Sequence, residues 1–446
     1  MKKTVSLLSI AGISLILYSC SDTYEPVEIP YTEALPATLT VDPDVEYQTV
    51  RGFGVMETSW QQSPLSDDEV ETLYGNEFNQ LGCNILRVRI APKENFESAD
   101  SRWGRIIPVI HKAKSMGATI LATPWTPPAS MKTSGNIVGG QLMDYEAYAM
   151  YLCEYLSYMK ENDADIDVIS IQNEPDFEVT YEGCIWSGLQ QARFFKEWGS
   201  YIKSRHPEVK LMTGESFQYR HEATDPILED EIACKAIDIV GGHIYGGGNN
   251  PYDLAVSKGK EYWMTEHLLN DAWEKSAPYS VIGDIKTETL ELAKELNTAM
   301  ESGFNAYIYW YGRRYYGMLG DGLAESEMSK PTARGYIYAQ FAKNITGKTR
   351  VKTIASKNVS ASLSVTAYKN QSGDISLMFV NSTSSEIKDL NIKLPFVPSS
   401  CQCVISTVGN NPFPENTDGY LMESSIDLSI PISIQANSIV TINAKK

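Results

Sequence analysis

Between residues 51 and 343, short apolar runs of strand length recur with helix-patterned segments between them, and this alternation constrains the fold more than any other feature of the chain. The runs are Gly52-Phe53-Gly54-Val55, Ile85 to Ile90, Thr119 to Thr123, Val168 to Glu174, Lys210 to Thr213, Ile237 to Val240, Glu261 to Thr265 and Ala306 to Trp310. Helical patterns fall around Ile106 to Met116, Tyr145 to Lys160 and Gln190 to Ser204, and Ser66-Asp67-Asp68-Glu69 reads as a capped helix start. Eight strands alternating with helices predict a (β/α)8 TIM barrel, with an open doubly wound sheet as the alternative. No glycine-rich nucleotide fingerprint follows any run, and Gly246-Gly247-Gly248 lacks the spacing of a phosphate loop.

Past Lys343 the texture changes. Val359 to Tyr368, Ile375 to Val380, Ile387 to Leu394, Cys403 to Ile405 and Ile439 to Ile442 are short strands parted by Gly, Asn, Ser and Pro turns, which predicts a β-sandwich over 344–446. Residues 37–50 alternate apolar and polar side chains, as a half-exposed strand does, and cannot fold alone. They are expected to join the sandwich, so that both termini build one side domain beside a catalytic barrel spanning 51–343.

The start, Met1-Lys2-Lys3 followed by the mostly apolar run Val5 to Tyr18, has the charged head and short apolar middle of a secretory signal. It ends Leu17-Tyr18-Ser19-Cys20, which resembles a lipoprotein signal over 1–20, with Cys20 as the lipidated residue and 21–36 as a tether. The expectation is an exported chain anchored by lipid to the cell envelope, at the outer membrane or cell surface, or periplasmic or secreted if Cys20 carries no lipid. The other six cysteines match no metal spacing, and buried free thiols are expected. A formal charge of −18 argues against nucleic acid and anionic lipid surfaces as partners. It does not exclude an acidic sugar, because screening over roughly 8 Å leaves local cations in control of a pocket.

Two of the runs end in a glutamate. Asp167-Val168-Ile169-Ser170-Ile171-Gln172-Asn173-Glu174-Pro175-Asp176 reads as a buried strand closed by proline, and Glu261-Tyr262-Trp263-Met264-Thr265 runs straight into Glu266. In a parallel barrel all strand C-termini open on one face, so Glu174 and Glu266 can flank one glycosidic bond as acid and nucleophile. Thr123-Pro124-Trp125 places a tryptophan at a rigid strand exit, where its face can pack on a sugar ring. His243 and Tyr245 share one face of the sixth strand, and Arg87 on the second can hold a carboxylate ionised.

These residues carry a resemblance to the family-30 glycoside hydrolases, retaining enzymes of clan A. The matching stretches are Arg51-Gly52-Phe53-Gly54, Thr123-Pro124-Trp125, Gln172 to Asp176, Glu215-Ser216-Phe217-Gln218-Tyr219, His243-Ile244-Tyr245-Gly246, Trp263-Met264-Thr265-Glu266 and Trp310-Tyr311-Gly312-Arg313-Arg314, in the family's order. The resemblance implies Glu174 as acid/base, Glu266 as nucleophile, Asn173 on the sugar 2-hydroxyl, and Tyr245 and Arg87 orienting Glu266. It further implies Trp125, Trp60, Trp310 and His243 along the substrate. Arg313-Arg314 resembles the glucuronoxylanase branch, where one arginine grips the carboxylate of a glucuronic acid branch, a structural ion pair being the other reading. His267-Leu268-Leu269-Asn270 departs from that branch, which carries aromatic residues there, and Ser130 stands where many members have tryptophan.

The chain is therefore expected to be a retaining endo-β-1,4-xylanase acting on glucuronic-acid-branched xylan, needing no cofactor and no metal, and monomeric. Its membrane contact would come only through the lipid. Another family-30 activity, a β-glucosidase, β-xylosidase or β-1,6-glucanase, is the alternative within the class. A glycan-binding surface lipoprotein without catalysis is the alternative outside it.

Overall fold

A computed structural model describes residues 36–60, 62–92, 102–269, 285–322, 327–411, 413–414 and 419–446. The predicted signal, lipidation site Cys20 and nearly all of the tether lie outside these residues. Eight parallel strands close into a barrel: β2 (Gly52–Met56), β3 (Ile85–Ile90), β4 (Thr119–Pro124), β5 (Val168–Ser170), β6 (Lys210–Met212), β7 (Ile239–His243), β8 (Glu261–His267) and β9 (Ala306–Tyr309). Closure comes from β2 pairing with β9 in the register Gly52↔Ala306 to Val55↔Tyr309. With no open edge, the doubly wound alternative is gone.

Alternation along the strands divides the barrel interior into layers. Ile85, Leu121, Val168, Met212, Ile239, Trp263, Ala306 and Ile308 pack as one buried apolar floor. Two residues further along the same strands come Arg87, Thr123, Ser170, Gly241 and Thr265. The inward face thus changes from hydrocarbon to polar groups as it approaches the mouth. The outward face packs on the surrounding helices in a larger core that includes Phe53, Leu86, Ile120, Ile169, Val240 and Tyr307.

The side domain is one nine-stranded sheet. β1 (Thr38–Thr49) lies inside it, flanked by β10 (Thr349–Ala355) and β13 (Ile387–Lys393), and the rest comprises β11 (Ser364–Lys369), β12 (Ile375–Asn381), β14 (Ser400–Thr407), β15 (Met422–Ser425), β16 (Ile432–Ile434) and β17 (Ser438–Lys445). The order β15-β14-β17-β12-β11-β10-β1-β13-β16 curls on itself, because Leu39, Leu377, Leu390, Cys403 and Ile434, from strands far apart in the ladder, share one core. Both termini therefore contribute to it, as expected. Gln340, on the barrel helix Ala333–Ile345, donates through Nε2 to Val404 O, Ile439 O and Thr441 Oγ1 at 3.0 to 3.2 Å, which pins barrel to sheet. Cys83, Cys153, Cys184, Cys234, Cys401 and Cys403 are all free thiols; Cys234 and Cys401 are half-exposed and the other four buried.

Candidate active site

Arg87 stands at the centre of the barrel mouth, completely buried. Its Nη1 donates to Glu266 Oε2 at 2.5 Å and its Nη2 to Asn173 Oδ1 at 2.8 Å. Nη2 also lies 3.1 Å from Glu215 Oε2, an ion pair. Asn173 therefore turns its amide nitrogen away from Arg87. The Tyr245 hydroxyl donates to the other oxygen of Glu266 at 3.0 Å. His243, also fully buried, sets Nδ1 3.1 Å from Glu174 Oε1, and its Nε2 lies 3.6 Å from Glu215 and 3.9 Å from Glu266. One oxygen of Glu174, one of Glu266 and a ring nitrogen of His243 fall within 4.8 Å of one another.

Local backbone irregularities aim these groups. β8 gains a residue between Met264 and Glu266, since Gly242 pairs with Met264 but His243 pairs with Glu266. Strict alternation from Trp263 would turn Glu266 outward; the bulge turns it into the mouth. Glu174 takes φ +45°, a left-handed conformation that costs a non-glycine residue about 1–3 kcal/mol. Its N–H is held by Glu215 O at 2.9 Å and that of Asn173 by Pro124 O at 2.8 Å, so neighbouring strands hold both residues in that bend. Gly241 leaves room for Glu215, whose Cγ would lie 3.0 Å from a Cβ at that position.

Three carboxyl groups and two cations share this nearly dry volume, and their environments push them apart. Burial raises the Glu174 pKa, and the hydrogen bond from His243 offsets this only in part. Burial would also raise Glu215, but Arg87 and His243 hold it down to about 2. For His243 burial favours the neutral ring, yet Glu266, Glu174 and Glu215 outweigh it and lift the imidazole to about 9. Burial thus disfavours the charged form of Glu174, while Arg87 and His243 keep Glu215 charged, so neighbouring acids in one low-dielectric site are pushed in opposite directions. The pair Glu174 and Glu266 can protonate one oxygen and attack the carbon beside it.

Aromatic side chains wall the cleft. Trp125 packs under Arg87, whose guanidinium carbon lies 4.8 Å from its ring centre, and against Trp310 and Trp60 at 5.9 and 5.3 Å. Trp60 is the partly open member of the three. The second barrel arginine pair divides. Arg313 is buried, and its guanidinium donates to Glu69 Oε2 at 2.6 Å, Ser63 O at 2.7 Å, Ser63 Oγ at 3.0 Å and Gln62 Oε1 at 3.3 Å. That corrects its expected place on the substrate: its donors are spent on the wall, and it is the structural ion pair. Arg314, partly exposed, makes a loose contact with Asp321 at 3.9 Å and lies 5.9 Å from the centre of the Tyr315 ring, with no closer carboxylate among the described residues.

Sequence reasoning gave no role to Glu215 or Tyr181. Glu215 follows the fifth run as Glu174 and Glu266 follow theirs, so the same strand-end signal marked it. Tyr181 had no such signal, since it lies on a loop whose approach to Glu174 is tertiary; burial and the charges of Glu174 and Glu266 raise its phenol pKa.

Residues 92–261 match the model of the glycosyl hydrolase family 30 TIM-barrel domain. Glucuronoxylanase XynC of Bacillus subtilis (strain 168) is 35% identical over 351 residues, which cover 76% of this chain and 77% of that one. The chain belongs to glycoside hydrolase family 30. Two solved relatives share its architecture. One is the family-30 subfamily-8 xylanase Xyn30A from Clostridium acetobutylicum, with a TM-score of 0.77 and 30% identity over 92% of this chain and 100% of that one. The other is a family-30 endoxylanase from Clostridium papyrosolvens C71, with a TM-score of 0.74 and 29% identity over the same shares. In this family-30 glycosidase the matched domain contains Asn173, Glu174, Glu215, His243 and Tyr245, while Glu266 lies five residues beyond its end.

Proposed function

We propose that this glycosidase is a retaining endo-β-1,4-xylanase acting on glucuronic-acid-branched xylan, with Glu174 as general acid/base and Glu266 as nucleophile. The observation that carries the reading is the approach of these two carboxyl groups, one oxygen of each within 4.8 Å, in environments that differ. Retaining enzymes hold the pair about 5–5.5 Å apart, whereas inverting enzymes need about 6.5–9.5 Å to admit a water. In the first step a Glu266 oxygen attacks the anomeric carbon while Glu174 gives its proton to the departing glycosidic oxygen. In the second, Glu174 takes a proton from water, the water oxygen attacks the same carbon, and Glu266 is released. Arg87 and Tyr245 fix both oxygens of Glu266, and His243 links the two acids.

The xylan backbone is supported by the relatives' names, and the acidic branch by Arg314, the cation of the pair that keeps donors to spare. The test is digestion of glucuronoxylan beside unbranched xylan with the wild type and Glu266→Gln. Products carrying one branch acid at a fixed place are expected from wild type. The variant should lose at least about a thousandfold in rate while still binding the polymer in affinity electrophoresis. Monosaccharide release would instead mark an exo-glycosidase, and surviving activity in Glu266→Gln would remove Glu266 as nucleophile.

A further inference from the structure

A polar cavity of about 400 Å³ is lined by Ser59, Trp60, Arg89, Ala91, Arg102, Arg105, Ile106 and Glu182. Its chemistry differs from that of the rest of the chain. Arg89 lies two residues past Arg87 on β3, on the same face and one step nearer the mouth. Its guanidinium forks onto Glu182, with Nε 3.0 Å from Oε2 and Nη2 on Oε1, and both side chains are largely shielded. Arg102 and Arg105 enter from the segment that leads into helix Ile107–Ser115 and are exposed. Arg105 makes one long contact, 3.3 Å to Gln62 O, and among the described residues neither arginine pairs with a carboxylate. Among the described residues, three guanidinium groups and one carboxylate thus line this cavity, in a chain whose formal charge is −18.

The cavity is tied to the site by a shared wall. The Trp60 ring touches Trp125 and Trp310 on one side, at 5.3 and 6.0 Å, and on the other carries the Arg89 guanidinium 5.5 Å from its centre. Tyr181, which faces Glu174, is 5.8 Å from the same ring, and the next residue is Glu182. A sugar chain leaving the carboxyl pair across Trp60 therefore meets the arginines next. A planar guanidinium matches a carboxylate with two parallel hydrogen bonds, and Glu182 already shows that match on Arg89. The cavity is of a size that holds one sugar ring.

We infer that this cavity is a carboxylate-binding subsite that takes an acidic sugar substituent of the polysaccharide through Arg102 and Arg105, with Arg89 fixed by Glu182 as its floor. It is separate from Arg314, which lies after β9, and it deepens the xylanase reading and rests on it. The full chain carrying Arg102→Ala and Arg105→Ala is compared with wild type and with the double lysine variant. Both positions are exposed, so folding is preserved. On glucuronoxylan the alanine variant should show KM raised roughly tenfold at unchanged kcat, with a shallower salt dependence, and the lysines should recover part of the loss. On unbranched xylan both variants should match wild type. Equal losses on the two polymers, or no loss on either, would overturn the subsite. A second arm needs no xylan: saturation-transfer NMR with sodium glucuronate, glucose being the neutral control. Transfer to glucuronate that falls in the alanine variant supports the pocket, and transfer unaffected by it removes the pocket. If wild type cleaves neither xylan, the xylanase reading fails while this arm still decides the subsite.

Discussion

Arg87 and Arg313 are both buried near one barrel mouth, both bound to a glutamate, yet they define two different kinds of region. Arg313 meets one carboxylate, Glu69, and completes its shell with Ser63 and Gln62, neutral groups that ask nothing further of it. Arg87 meets Glu266 and Glu215, with Glu174 close by through His243. The first region is balanced and inert. The second sets three acids against two cations, and there burial, with the Glu266 charge adding to it, raises the Glu174 pKa against the pull of His243 and Arg87. Excess of one sign in a dry volume is what separates a reactive cluster from a brace, and counting arginines in the sequence cannot tell the two apart.

The sharpest way to break this contrast is to remove each cation in turn. Arg87→Met leaves three acids with only His243 and should cost about 3–5 kcal/mol, together with nearly all hydrolysis. Arg313→Met leaves Glu69 unpaired and should cost about 3 kcal/mol, but below its unfolding temperature the rate on glucuronoxylan should stay within about twofold of wild type. Urea midpoints and initial rates on the same preparations decide. A variant of Arg313 that stayed stable and lost only branched substrate would reverse the assignment and return it to the substrate.

The next largest effect is one that Arg313 cannot show, because guanidinium does not titrate in the accessible range. His243 has its folded pKa lifted to about 9, above an unfolded value near 6.5. Its contribution, about 3 kcal/mol, is therefore fully present below pH 6.5 and is lost as pH rises through 9. Glu215 works in the opposite sense: held down to about 2, it contributes above pH 4.5 and loses that contribution as pH falls through 2. The melting-temperature gap between wild type and His243→Gln should thus narrow steadily from pH 6 to pH 10. A gap that stayed constant would mean that His243 is not the charged partner of these acids.

Much of this was legible in the chain because periodicity is local. The eight runs stand where the strands are, and Glu174, Glu266, His243, Tyr245, Asn173 and Arg87 converge because a closed parallel barrel leaves their strand ends no other place to go. What alternation could not carry were the departures from it. The extra residue in β8 and the left-handed Glu174 are set by neighbouring strands, not by the residues themselves. The side-domain strands were visible, but their union in one ladder depends on pairings such as β1 with β13, more than three hundred residues apart. Which of Arg313 and Arg314 is the structural ion pair was not legible for the same reason, since the partner of Arg313, Glu69, is 244 residues away.

The smallest test addresses how the inert region is held in place. Helix α1 (Asp67–Tyr74) starts at Ser66, whose side chain accepts from the Glu69 N–H while Glu69 Oε2 accepts from the Ser66 N–H at 2.8 Å, a reciprocal capping box. That same Oε2 also receives Arg313, and Oε1 receives Ser329 at 2.6 Å. One carboxylate therefore caps the helix and anchors the wall. Ser66→Ala removes only one half of the box, so Glu69 still reaches the Ser66 position through the backbone and Arg313 keeps its partner. The expected cost is about 1 kcal/mol in the urea midpoint, with kcat and KM unchanged. If the same change moved KM on branched xylan, the brace would be coupled to the cleft, and the division between a balanced wall and an overcharged centre would not hold.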